Sequence, residues 1–297
     1  MLRSSLLALT IACVALPALS SAQFTLTPQA PPHLALAERV ALGLRTQAQH
    51  GLTSKLTMQN GQPVWVPYNR YGGSWNTGYV IDGHLDWVNN VPIPDPAFEN
   101  YSVCASFVSR CLKQAYNWNW TNYPVPGEGA TASPNSRQYA KLMKAGLGMT
   151  QLKVLSKVTP GDIITIDYKS DSNSEAASGH TMIVRQRLGF FATTPNSKDP
   201  NTYLVWRFGI ADSTSSPHDS VADRSDSRVL MGQNNQVFSW QGAGVGEFRI
   251  ITDLNHNILG YWWSHTTATY SYTYRDAMAN NGQSQQLRPI TIGRIKL

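Results

Sequence analysis

Cysteine is scarce in this chain: three residues in 297, at positions 13, 104 and 111. So few exclude a small disulfide scaffold and a zinc module built on several cysteine pairs. Charge is scarce as well. Only 14% of residues are charged, the formal balance is +6, and no run of five or more Lys or Arg occurs. Nucleic-acid binding wants basic residues concentrated on one face, so no nucleic-acid partner is expected. A thin positive field still suits an anionic partner such as a bacterial envelope. The sequence has no His-Glu-x-x-His and no histidine or cysteine pair at ligand spacing, so neither a metal nor another cofactor is expected. Gly242-x-Gly244-x-Gly246 is not set between a strand and a helix, as a phosphate cradle would be, and reads as a turn or bulge. There is no internal repeat and no linker that divides the chain. With 42% apolar residues a real core is affordable in one elaborated domain.

Long apolar runs are confined to the start. Arg3 supplies a charged beginning, Leu6 to Leu19 is almost unbroken apolar sequence interrupted by Pro17, and Ser20-Ser21-Ala22 offers small residues for cleavage. A membrane-crossing helix needs about 20 residues, so this run of about 14 reads as a cleaved secretory signal. Residues 1–22 are therefore predicted to be removed, leaving Gln23 first and residues 23–297 as a single exported domain, periplasmic or extracellular. No other stretch would insert stably in a membrane.

Loss of the signal leaves Cys104 and Cys111. They share a pattern with Phe107, Val108, Leu112 and Ala115 at three- and four-residue steps, which predicts a helix from about Ser102 to Tyr116. Along that helix their separation rises roughly 10 Å, beyond the reach of about 7 Å between disulfide-bonded Cα atoms. The two thiols therefore have separate roles. Further helices are predicted from His33 to about Gln49, and after Ser133-Pro134 with Gly146 as its stop. Residues 60–100, rich in Gly, Pro, Asn and Trp, read as irregular. Strands are predicted over 162–168, 180–188 and 202–211, with more towards the C-terminus, and residues 169–179 form a loop. Helices followed by sheet is the α+β pattern. Trp262 and Trp263 would point to opposite faces of a strand, whereas Tyr270, Tyr272 and Tyr274 would share one, as a glycan platform or an ordinary half-buried strand.

Cys104 opens its helix, where partial positive charge and free amides favour a thiolate. It can serve as a nucleophile or as a small core side chain; Cys111, two turns further in, reads as core. His180 follows Ser178-Gly179 and opens a strand, as a base at the sheet rim or as a surface histidine.

The segment Cys104-Ala105-Ser106-Phe107-Val108-Ser109-Arg110-Cys111-Leu112, then Pro160-Gly161-Asp162, then Gly179-His180 resembles, in order, the nucleophile helix and following strands of papain-like cysteine amidohydrolases of bacterial cell walls, the NlpC and CHAP families and related amidases. The likeness covers roughly residues 100–215. Here Val103 stands before the cysteine, where that clan often has Asp or another polar residue. The resemblance implies an α+β fold with a papain-like core over about 97–218, in which the N-terminal nucleophile helix packs on an antiparallel sheet, with N- and C-terminal extensions around it. It implies Cys104 as nucleophile and His180 as base. The clan's third polar residue falls on Asp212, which would orient the imidazole or cap its own loop as an Asx turn. His218 is the runner-up for that role, or a substrate contact at the rim. Tyr101 is a candidate oxyanion donor. The implied activity is amide hydrolysis, with peptidoglycan peptide or a similar amide as the substrate. A non-catalytic envelope-binding protein on the same scaffold, or a lipid acyl-transfer enzyme of the clan, are the alternatives.

Overall fold

A computed structural model describes residues 30–49, 51, 53–59, 61–72, 84–86, 99–168, 179–193, 202–219, 226–264 and 288–297. The signal segment, most of the predicted loop after Tyr168 and the tyrosines at 270, 272 and 274 lie outside these residues. Helix α1 (Pro32–Gln49) comes first, then β1 (Ser54–Gln59), β2 (Gln62–Pro67) and the short strands β3 (Asn69–Tyr71), β4 (His84–Asp86) and β5 (Glu99–Ser102). Helix α2 (Cys104–Tyr116) follows directly, then α3 (Ser136–Ala145). The remainder is mostly strand: β6 (Met149–Leu152), β7 (Ile163–Asp167), β8 (Gly179–Thr193), β9 (Tyr203–Thr214), β10 (Val229–Met231), β11 (Val237–Ser239), β12 (Gly242–Thr252), β13 (Ile258–Trp262) and β14 (Ile290–Ile295).

Seven strands pair in the order β13-β12-β9-β8-β7-β14-β6, with every neighbouring pair antiparallel. The fold is thus α+β with a mostly antiparallel sheet. Its extent differs from the expected core over 97–218, because β12, β13 and β14 all belong to the sheet and β14 lies between β7 and β6. Of residues 60–100, expected to be irregular, those described (61–72, 84–86, 99 and 100) are largely strand. β1 and β2 pair as an antiparallel hairpin, and Gly61, at φ 76°, lies in their short connection, where a left-handed backbone favours glycine. A second small sheet sets β5 between β3, parallel to it, and β4, antiparallel.

The helices form because each has one apolar stripe to bury. In α1 the buried residues include Leu34, Ala37, Val40, Ala41 and Leu44. In α2 they include Phe107, Val108, Cys111 and Leu112. Each such aliphatic or aromatic side chain contributes about 1.5–3 kcal/mol by leaving water. Helix α3 starts two residues later than Ser133-Pro134 suggested. Its cap is Asn135, whose side chain accepts from the Gln138 N–H at 3.0 Å while the Gln138 side chain accepts from the Asn135 N–H at 2.9 Å. Gly146 ends it in the left-handed conformation, as expected.

Both helix stripes meet one face of the sheet around Ile163, Ile183, Ala211 and Val245. Met182, Phe208, Ile210, Phe248, Ile250 and Tyr261 form a separate core on the opposite face. Strand side chains alternate between faces, so His180 and Asp212 lie on the second face while Thr181 and Ser213 lie on the helix face.

Candidate active site

Strand β5 runs straight into α2, so whatever fixes β5 also fixes Cys104. Ser213 Oγ donates to the Ser102 carbonyl at 2.7 Å, and Ser102 Oγ donates to Asn100 Oδ1 at 2.6 Å. Asn69 couples β3 to β12: its Nδ2 donates to the Ala243 carbonyl at 2.8 Å and its Oδ1 accepts from the Ala243 N–H at 2.7 Å. The start of α2 is therefore held against the end of β9, where Ser213 lies next to Asp212.

Cys104 is the first helical residue of α2 and only 4% exposed. Its Sγ lies 3.7 Å from Ser136 Oγ and 3.7 Å from the Gly179 carbonyl oxygen. His180, next after Gly179, hydrogen-bonds the same thiol. Gly179 is required here. A Cβ would sit 1.9 Å from the Ile166 carbonyl oxygen, and φ is 138°. Burial alone would push the Cys104 thiol up. The charge and hydrogen bond of His180, with help from Ser136 and the Thr181 backbone, outweigh burial and hold it below its ordinary value.

His180 Nε2 lies 2.6 Å from Asp212 Oδ2, which leaves the other ring nitrogen for the thiol. Burial opposes a charged ring, but Cys104 and Asp212 together raise its pKa to about 9. Asp212 is fully buried, and burial would raise its pKa. The Arg228 and His218 charges and the hydrogen bonds from both histidines instead hold it well below the usual carboxylate range. The expectation that β9 ends at Asp212 is corrected, because the strand continues to Thr214. The Asx-turn alternative gives way accordingly. One carboxylate oxygen receives His180 and His218 (2.8 Å), and the other receives Arg228 Nη1 at 2.8 Å.

His218 is not at a rim. It is fully buried behind Asp212, with Nδ1 2.7 Å from the Trp263 carbonyl and the ring stacked on Trp263 at 4.1 Å. Both ring nitrogens thus face oxygen atoms, one of a carboxylate and one of a backbone carbonyl. Trp263 also meets His180 edge-on at 4.8 Å, whereas Trp262 faces Arg249 and Phe191 on the other side, the split expected of the adjacent pair. Tyr101 alternates along β5 with Asn100 and Ser102, which turn towards Asn69 and Ser213. The tyrosine that hydrogen-bonds Cys104 is Tyr71, brought in because β3 pairs with β5 and sets Tyr71 opposite Ser102. Burial first, then the Cys104 charge and hydrogen bond, push the Tyr71 hydroxyl up and keep it a neutral donor. Cys111 is free and fully buried, and burial alone raises its thiol, as suits a core side chain.

Arg228 was not legible as a site residue. It is fully buried, forked onto Asp226 (Nε to Oδ1 2.9 Å, Nη2 to Oδ2 2.8 Å) and bonded to the Gly242 carbonyl at 3.0 Å. The glycines at 242, 244 and 246 carried the one available signal. They do not form a turn. On β12 they share one face, where a Cβ at Gly244 would meet Arg228 Nε at 2.5 Å and one at Gly246 would meet Asp226 and His218 at 3.0 Å. Tyr71, Ser136 and Trp263 gave no comparable signal. His180, Asp212 and His218 also offer three potential metal ligands within 4.8 Å of one another. In this geometry Asp212 is engaged by two ring nitrogens and a guanidinium, and the adjacent Arg228 cation opposes a second cation.

No protein-family model matches the chain. Among curated proteins it is similar to "Uncharacterized protein R653" of Acanthamoeba polyphaga mimivirus, 24% identical over 197 residues, which is 65% of this chain and 77% of that protein. No solved structure matches.

Proposed function

We propose that this protein is an exported thiol hydrolase with a papain-like core, and that it cleaves an amide bond, with peptidoglycan peptides as its substrate class. The single observation that carries the reading is the buried line Cys104–His180–Asp212, with His180 Nε2 2.6 Å from Asp212 Oδ2 and its ring held charged by the Cys104 thiolate and that carboxylate. That is the charge arrangement a nucleophilic thiolate and its acid–base partner need.

The mechanism follows from the positions. The Cys104 thiolate attacks the amide carbonyl carbon, and the carbonyl π pair moves to oxygen. The oxyanion is stabilised by the Tyr71 hydroxyl and by the backbone N–H of Cys104, at the open end of α2, where Val103 carries no capping group. His180 then gives its proton to the leaving amine as the C–N bond breaks. Water, deprotonated by His180, attacks the thioester; the C–S bond breaks with its electron pair on sulfur, releasing the acid and restoring the thiolate beside a protonated His180. Asp212 keeps the ring oriented throughout and favours its charged form whenever it holds the proton. The ordered likeness of the cysteine helix, the Pro160-Gly161-Asp162 turn and Gly179-His180 to cell-wall amidohydrolases supports the substrate class.

The test is release of new amino groups from purified sacculi, with the cut bond located by mass spectrometry. Wild type is expected to release them. Cys104→Ala and His180→Ala are expected to abolish release while keeping the wild-type circular dichroism spectrum. Full activity in Cys104→Ala would end this reading.

A further inference from the structure

Two helices, not one, begin at the sulfur. Cys104 is the first residue of α2 and Ser136 the first of α3, and Ser136 is 1% exposed. The hydrogens around Ser136 can be counted. Thr165 Oγ1 donates to the Ser136 carbonyl at 2.9 Å, and Thr181 Oγ1 donates to Ser136 Oγ at 2.9 Å. A hydroxyl carries one hydrogen, so Thr181 has used its own and Ser136 Oγ already accepts. The hydrogen of Ser136 remains, and Cys104 Sγ is 3.7 Å from its oxygen. A thiolate has no hydrogen to give, so with Cys104 charged this contact has Ser136 as donor and the sulfur as acceptor.

We propose that Ser136 is a hydrogen-bond donor to the Cys104 thiolate, and that Thr181 is a positioning residue that fixes the direction of that donation. The proposal deepens the thiol-hydrolase reading and rests on it. A donor aimed at sulfur favours the charged form over the thiol, because charge-assisted hydrogen bonds are the stronger kind. The surroundings are arranged around this contact. Gly179 admits α3 this closely, since a Cβ there would stand 3.0 Å from Ser136 Cβ. Thr181 reaches Ser136 because it lies on the helix face of β8, while its neighbour His180 reaches Asp212 on the other face. One strand thus supplies the base on one side and the alignment of the donor on the other. Among the described residues, the charged groups acting at the sulfur are His180 and, behind it, Asp212, and Tyr71 is a further hydroxyl in contact.

The test is the pH dependence of Cys104 carbamidomethylation by iodoacetamide in the full chain, with the Cys104 peptide quantified by mass spectrometry so that Cys111 does not interfere. Ser136→Ala is expected to move the midpoint up by about one pH unit, which at a pH below both midpoints slows alkylation about tenfold. Thr181→Val, which keeps the shape and removes the hydroxyl, is expected to move it the same way by less, and Thr181→Ser to restore the wild-type midpoint. A folded Ser136→Ala with the wild-type midpoint overturns the proposal. If Ser136→Ala does not fold, an unmoved midpoint in Thr181→Val overturns it instead. Failure of the hydrolase reading has a different signature: sacculi left uncut by a wild type whose midpoint still shifts on losing Ser136.

Discussion

Asp212 is fully buried and engaged on both carboxylate oxygens, by three donors. Replacing it by Asn keeps the shape but puts an amide where a carboxylate neutralises Arg228 and charges His180. Turnover by Asp212→Asn is expected to fall on the order of a thousandfold, as when other triads lose their carboxylate. Its pH profile should change as well. In the wild type kcat/KM is expected to fall as pH rises through about 9, where His180 loses its proton. In Asp212→Asn that limb should move down towards the ordinary histidine range near 6.5. An unmoved limb would remove Asp212 from the role given to it. Tyr71 is tested separately. If its hydroxyl holds the oxyanion, Tyr71→Phe should lower kcat on the order of a hundredfold with KM little changed. A change in KM alone would make it a binding residue.

Among the elements, β12 shows how a strand can be shaped by what lies on it. Gly244 makes room for Arg228, Gly246 for Asp226 and His218, and Gly242 for Asn69 and Arg70, none of which belongs to β12. Gly244→Ala places a Cβ 2.5 Å from Arg228 Nε, with Arg228 fully buried and bonded on every side. The guanidinium cannot step aside without unpairing a buried charge. Gly244→Ala is therefore expected to cost about 1–3 kcal/mol in urea unfolding and to lower activity through Asp212. Stability unchanged within error would show that the fork has slack. Helix α2 illustrates the reverse case, an element whose position is set by what precedes it. The Asn69–Asn100–Ser102–Ser213 bonds anchor β5, and the helix inherits its start from them.

Across the whole molecule, a buried histidine ties the first helix to two distant segments, beside its apolar stripe and the Glu38–Arg185 ion pair. His33 Nδ1 lies 2.9 Å from the Tyr116 hydroxyl at the end of α2, and Nε2 lies 2.8 Å from the Gly161 carbonyl beside β7. A carbonyl only accepts, so Nε2 carries the hydrogen and Nδ1 accepts from Tyr116: the neutral ring completes both bonds. Burial lowers its pKa, partly offset by the Gly161 carbonyl and Asp162. The unfolded chain therefore binds this proton more readily than the folded one. Stability should fall as pH drops below about 6.5 and level off below the folded value. Urea titrations between pH 7.5 and 5 are expected to give a shallower decline in His33→Asn than in the wild type. Identical slopes would mean that another group carries the acid sensitivity.

What could be read in the sequence was local. The helical faces of α1 and α2 follow from spacing, the end of α3 from Gly146, and the strands from β-branched runs beside Pro160-Gly161. These depend on neighbours a few residues away, which the sequence displays. The separation of the two cysteines came from the same helical spacing. His180 and Asp212 were found by order along the chain and by likeness to a family, not by distance. Tyr71, Ser136, Arg228 and Trp263 were beyond reach, because each arrives through a pairing with a distant segment. Strand β3 docks on β5, the first turn of α3 settles over Gly179, and Arg228 crosses alternate glycines of β12. By itself, then, the sequence determined the class of the fold and the thiol at a helix start. Only the tertiary structure decided which hydroxyls, carboxylate and guanidinium surround that thiol, because burial is what turns weak, distant charges into strong neighbours.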